Sequence, residues 1–236
     1  MRRETFAVSG PVQLDISLPA GEIEVDAAPT GEARVELKAL RGGESAVEEA
    51  RVELRGDELI VKVDDPHAEV QVRVHVPDGS ALRAKTASGD LTARGNLGDT
   101  DVKSASGDVK LDSVGALAAK LASGDLKVKR MDGDTHIDSA SGDVDLGEAG
   151  SGVVVRTASG DQQVRVVAGG RVELSSASGD IRVGIKRGSR LWVDARSMSG
   201  DVVSELEVGD EQDGEEGPLV ELQVTAMSGD VRVVRA

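Results

Sequence analysis

The tripeptide Ser-Gly-Asp recurs eight times at a nearly constant period, which constrains the fold more than any other feature of the 236 residues. The copies are Ser88-Gly89-Asp90, Ser106-Gly107-Asp108, Ser123-Gly124-Asp125, Ser141-Gly142-Asp143, Ser159-Gly160-Asp161, Ser178-Gly179-Asp180, Ser199-Gly200-Asp201 and Ser228-Gly229-Asp230. Serine-to-serine spacings are 18, 17, 18, 18, 19, 21 and 29 residues. Each copy follows an alanine, except the last two, which follow Met198 and Met227. A fixed period of this length marks a repeat architecture, in which each unit buries its apolar face against its neighbours.

Between the tripeptides the chain alternates with period two. Val102, Leu121, Ile137, Val155, Leu174 and Val193 precede the copies and are interleaved with Lys103, Lys120, Asp138, Arg156 and Glu173. Val109-Lys110-Leu111 and Leu126-Lys127-Val128 follow them in the same way. Apolar–polar alternation is the pattern of half-buried strands. Each period thus holds two short strands, one entering Ser-Gly-Asp and one leaving it, with a second glycine-rich corner closing the coil. No proline occurs between Pro77 and Pro218, as a continuous ladder of backbone hydrogen bonds requires. A sandwich gives successive units no reason to share one sequence, whereas a solenoid stacks equivalent residues on one another. The expectation is an all-β, single-domain β-solenoid of roughly 17–21-residue coils, its eight repeats spanning about 40 Å.

Glycine at the centre of the tripeptide supplies positive φ for a sharp corner, and Ser and Asp can bond backbone groups there. Ser88, Gly89, Ser106, Gly107, Ser123, Gly124, Ser141, Gly142, Ser159, Gly160, Ser178, Gly179, Ser199, Gly200, Ser228 and Gly229 are therefore read as structural turns. The competing reading is a cation ladder of Asp90, Asp108, Asp125, Asp143, Asp161, Asp180 and Asp201 that binds calcium. One carboxylate per coil is too few for calcium unless neighbours such as Asp99, Asp101, Asp132 and Asp134 join it. Nor does repulsion demand a counter-ion, since like charges about 5 Å apart in water cost only about 0.8 kcal/mol.

Residues 1–80 lack the tripeptide but alternate equally well, with strands expected over 13–26, 33–40, 51–54, 58–63 and 69–76 and one short helical turn at Glu44–Ala50. They are read as irregular first coils and cap, with 81–236 as the repeat solenoid. An acidic insertion at 208–218, too polar to pack, is expected as an exposed mobile loop. The last repeat, ending at Val231–Ala236, carries no evident cap and presents itself as an edge for self-association.

Composition then excludes several kinds of function. Only Phe6 and Trp192 are aromatic, so base-stacking platforms for single-stranded nucleic acid are not available. A net charge of −15 opposes binding to phosphate backbones and anionic membranes, although it permits an acidic nucleic-acid mimic. The absence of cysteine removes disulfides, thiol nucleophiles and thiolate metal sites. His67, His75 and His136 have no ligand spacing, and a serine repeated eight times is not a singular nucleophile. No enzyme, cofactor or metal is expected. Neither a signal-length apolar run nor a membrane span is legible, so no direct membrane insertion is expected. Cytoplasm is the default compartment, with envelope association through a partner as the other expectation. Trp192, facing outward between Leu191 and Val193, is the side chain read as a partner contact.

Units such as Thr86-Ala87-Ser88-Gly89-Asp90-Leu91 and Ser104-Ala105-Ser106-Gly107-Asp108-Val109, entered through Val72–Gly79, resemble the bacterial adhesin-like, toastrack-type β-strand-repeat family. The resemblance spans nearly the whole chain. It implies a solenoid-like fold, adhesin-like or envelope-stress-associated protein binding, and no catalytic residues. The sequence is accordingly read as a non-enzymatic interaction module for an unidentified protein partner, the alternatives being a self-assembling structural solenoid, a calcium-binding repeat or a nucleic-acid mimic.

Overall fold

A computed structural model describes residues 1–205 and 217–236, so most of the acidic insertion expected at 208–218 lies outside the described residues. The chain divides into two compact units, Met1–Gly124 and Asp125–Ala236. Both are β-solenoids.

The first unit opens with β1 (Arg2–Ala7), β2 (Gln13–Ala28), β3 (Glu32–Arg41), α1 (Glu44–Glu49), β4 (Arg51–Arg55), β5 (Glu58–Lys62) and β6 (Glu69–Pro77). It continues through β7 (Ala81–Asn96), β8 (Thr100–Ser106), β9 (Val109–Val114) and β10 (Leu117–Leu121). β2 and β7 are long strands that serve two ladders. Their first halves form the row β4–β5–β2–β7–β8–β10, and their second halves form β1–β3–β6–β2–β7–β9. Pairing is parallel except at β1–β3, β3–β6 and β4–β5. Because β2 shares ladders with β5, β6 and β7, residues on either side of position 80 pack as one body.

Near the start of this unit a short helix packs against β3. Helix α1 buries Ala46 and Val47, with Ala50 just beyond it. The Arg2 guanidinium donates to the carbonyls of Glu48 at 3.1 Å and Ala50 at 2.5 Å, satisfying acceptors that a helix C-terminus leaves open. Glu44–Glu49 therefore forms the helical turn read from the sequence over Glu44–Ala50.

The second unit contains β11 (Leu126–Met131), β12 (Thr135–Ser141), β13 (Val144–Ala149), β14 (Val153–Ser159), β15 (Gln162–Val167) and β16 (Gly170–Ser178). It ends with β17 (Ile181–Ile185), β18 (Arg190–Ser197), β19 (Val202–Ser204), β20 (Leu219–Ser228) and β21 (Val231–Arg235). All its pairings are parallel, in two rows. One runs β12–β14–β16–β20–β18 and the other β11–β13–β15–β17–β21–β19.

The order at the end of these rows differs from chain order. β20 and β21 insert between the coil β16/β17 and the coil β18/β19. Val231–Ala236, read from the sequence as the outer edge, thus lies on β21 between β17 and β19, and among the described residues the coil paired on one side only is β18/β19. The residues after β19 leave enough chain for the polypeptide to turn back and fill an inner position.

Aliphatic side chains fill the cores, with Leu126, Met131 and Leu222 among the fully buried residues of the second unit. Each coil contributes inward pairs such as Val155 and Val164, or Leu174 and Val183. Burial of one such side chain contributes about 1.5–3 kcal/mol. Beneath the Ser-Gly-Asp corner the inward positions turn small and hydroxylic: Thr86 and Ser104 in the first unit, Ser139, Thr157 and Ser176 in the second. One rung of this column instead carries a leucine, the buried Leu121 in register with Ser104. One coil departs from its neighbours by placing Gln162 where the others carry Val144 or Ile181. Its Nε2 donates to Thr157 Oγ1 and the Ser175 carbonyl, both at 2.8 Å.

Candidate interaction surface

The corners form a continuous ladder. In the second unit the Oδ1 of each aspartate accepts the backbone N–H of the aspartate on the next coil. The bonds run Asp125 to Asp143, Asp143 to Asp161, Asp161 to Asp180, Asp180 to Asp230 and Asp230 to Asp201, at 2.8–2.9 Å. In the first unit Asp90 accepts from Asp108 at 2.9 Å. A charge-assisted bond of this kind is worth about 1.5–3 kcal/mol, which outweighs the like-charge repulsion between successive aspartates. Among the described residues no group of three or more histidine and acidic side chains is placed to hold a metal ion. The ladder stops at Asp201, whose carboxylate accepts no hydrogen bond among the described residues.

Removing one rung measures this balance. Asp161→Ala should lower unfolding free energy by about 1–2 kcal/mol, and Asp161→Asn, which retains an acceptor, by less. Urea denaturation of the two variants provides the comparison; stabilisation by alanine would mean that repulsion governs the ladder.

Flat faces between the corners carry charge in compensated form. Arg165 makes two bonds to Asp145, at 2.9 and 2.7 Å, and Lys127 approaches the same carboxylate at 3.4 Å. The Arg165 hydrogen bonds hold the Asp145 carboxyl below its ordinary pKa despite partial burial. His136 and Arg156 flank Asp138 at 3.3 and 3.9 Å, and Lys103 sits 4.0 Å from Asp101. The basic stripes legible in the sequence are therefore largely paired with acids on their own or adjacent strands. A shallow groove near Gly150, bordered by Arg130, Asp132, Glu148 and Lys186, likewise has Arg130 bonded to Asp132 at 2.9 Å.

The end coil is different. Of nine exposed large apolar side chains among the described residues, only Met1 and Leu40 lie outside the segment from Trp192 onward. Trp192 is 57% exposed on the outer face of β18, beside Glu221 of β20. Met198 and Met227 occupy the corner position that is alanine in every other coil, and they are 81% and 57% exposed. Ser199 N–H donates to the Met227 carbonyl at 3.1 Å, so these two corners are neighbours. The most informative positions face inward. Val193 pairs with Leu222, and Val202 with Val231; the partners are fully buried, yet Val193 is 40% and Val202 46% exposed. The core is open there because no further coil covers it.

Trp192, singled out in the sequence, is thus one of several exposed apolar side chains on the end coil and its neighbour. Met198 and Met227 were visible as departures from alanine, whereas Val193 and Val202 look like ordinary core residues until the stacking order is known.

A stack of parallel two-strand coils joined by laddered corners defines a β-repeat protein of the solenoid class. The chain belongs to the Toastrack DUF4097 family, whose profile matches residues 13–234. Among solved structures, a "putative adhesin" from Bacteroides fragilis matches at 15% identity and TM-score 0.52, covering 98% of this chain and 96% of the other. A second protein of that description, from Parabacteroides distasonis, matches at 14% identity and TM-score 0.55, with 98% and 96% covered. A third, from Parabacteroides merdae, shows 11% identity, TM-score 0.53 and coverage of 98% and 95%. No curated protein matches the chain. Among the described residues, no helix is long and apolar enough to cross a membrane.

Proposed function

We propose that this protein is a non-enzymatic interaction module, adhesin-like in the broad sense, that engages a protein partner through its exposed end coil. The observation carrying this reading is the concentration of exposed apolar side chains on Trp192, Val193, Met198, Val202 and Met227, while the laddered faces are charged and paired. Exposed large apolar side chains gathered at one end coil mark a contact site, and methionine and tryptophan are residue types suited to such a surface. Three fold relatives described as adhesins are consistent with contact as the role. Location at the cell envelope, reached through the partner, belongs to the same reading.

The test is affinity recovery from soluble and envelope fractions with wild-type protein, Trp192→Ser/Met198→Ser, and Lys103→Ser as a surface control. A specific protein retained by wild type and Lys103→Ser but lost with the double variant supports the proposal. Recovery indifferent to the end coil, or no recovery, counts against it.

A further inference from the structure

Resting on that reading of the end coil as a contact surface, we propose that the partner seated there is a second copy of the chain, joined edge to edge about a two-fold axis with β18 antiparallel to β18. Three observations converge on an added strand layer. Among the described residues, β18 and β19 are each paired on one side only, by β20 and β21. The inward-facing Val193 and Val202 lie exposed where their register mates are fully buried. The corner ladder ends on Asp201, whose predecessors each accept an N–H from the coil above. An uncovered edge of this kind is a template for strand pairing, and a solenoid end with an open core needs a cover.

Charge selects the occupant. Across 190–205 the edge coil carries Arg190, Asp194, Arg196, Asp201 and Glu205, a net charge of only −1 in a chain of net charge −15, and Glu205 faces Arg232 of β21 at 3.8 Å. Two copies can approach through this coil without the repulsion that most other pairings of their surfaces would impose. A strongly basic or acidic partner would gain no field from it. The strand is also complementary to itself. An antiparallel alignment centred on Ala195 sets Asp194 of each copy opposite Arg196 of the other, and Trp192 opposite Met198. Within one chain Arg196 already bonds Asp194 at 2.9 and 3.0 Å on the exposed face, so pairing would close a square of four alternating charges.

A two-fold arrangement uses the β18 edge alone. The edge strands β1 and β4 of the first unit run antiparallel to their neighbours β3 and β5, so they do not repeat the parallel two-strand coil that β18 and β19 present. An isologous contact uses one surface twice and stops at two copies.

The experiment is light scattering on the full chain over a concentration series, for wild type, Asp194→Arg, Arg196→Asp and the double swap Asp194→Arg/Arg196→Asp. These side chains are at the surface, and circular dichroism verifies that each variant is folded. Wild type is expected to dimerise reversibly. Each single swap should raise the dissociation constant at least about tenfold, and the double swap should bring it back toward wild type. A dimer indifferent to the single swaps, a double swap that fails to restore it, or open-ended assembly overturns the proposal. So does a wild-type monomer at every concentration, and Trp192, as the sole tryptophan, then separates the two readings. If its emission shifts on adding a protein recovered from the cell fractions, the interaction module stands and the second copy falls. If nothing moves it, both fall.

Discussion

Gly160→Ala is expected to destabilise the protein by about 3–5 kcal/mol, among the largest effects open to a one-carbon change. Gly160 sits at φ +116°, a region that L-residues rarely adopt. Its backbone also packs against the coil below. A Cβ built there would lie closer to the Gly142 carbonyl oxygen than real Cβ atoms come, and 2.7 Å from the carbonyl carbon. Relaxing the φ strain, about 1–2 kcal/mol, does not remove the clash with a neighbouring backbone. The coils must therefore separate locally, weakening the bonds from Asp143 to Asp161 and from Asp161 to Asp180. Gly10, with nothing within 4 Å of an added Cβ and no positive φ, is the matched control, and its substitution should be near neutral. Thermal or urea unfolding of the two variants decides the matter; a loss below about 1 kcal/mol for Gly160→Ala would refute the stacked-corner account.

The second large effect separates spatial order from chain order. Leu222 is fully buried in the inserted coil, between β16 and β18, whereas Val193 lies in the edge coil and is part exposed. Leu222→Asp places a charge in a sealed aliphatic core and should cost about 3–5 kcal/mol. Val193→Asp, whose carboxylate can reach water, should cost no more than about 1 kcal/mol in the isolated chain. Hydrogen exchange adds a spatial signature. Leu222→Asp should deprotect amides of β18 and β19, which precede it by 18 to 32 residues and depend on β20 and β21 for their ladders. Stacking in chain order would invert the ranking, making Leu222 the mild site and Val193 the severe one.

Local pattern made much of this fold legible. Alternation identified strands because a strand's two faces repeat every two residues, and that period survives whatever the strand pairs with. Ser-Gly-Asp identified corners because positive φ and close backbone approach both demand glycine, as at Gly107, Gly124, Gly179, Gly200 and Gly229. The first copy, however, is no turn: Ser88 and Gly89 lie inside the continuous strand β7, where Gly89 has no positive φ and is set instead by its close approach to Gly21. The helical turn near Glu44 was visible for equally local reasons. The partners of these elements were less legible. Asp180 bonds an amide 50 positions away, at Asp230, and Gly229 packs on the Gly179 carbonyl across the same interval. No periodicity of 18 announces that contact.

The sequence by itself determined the repeat, the two-strand coil, the small-residue corner and the aliphatic core, because each follows from backbone conformation or side-chain volume within one coil. Only the tertiary structure decided the stacking order of the last two coils, and with it the location of the open edge. Coils of nearly equivalent sequence offer nearly equivalent ladders, so local preference does not rank their order. The 29-residue interval between the last two tripeptides, against about 18 elsewhere, supplies the slack for an inverted order. That inversion leaves Trp192, Val193 and Val202 uncovered and encloses Leu222 and Val231 in the core.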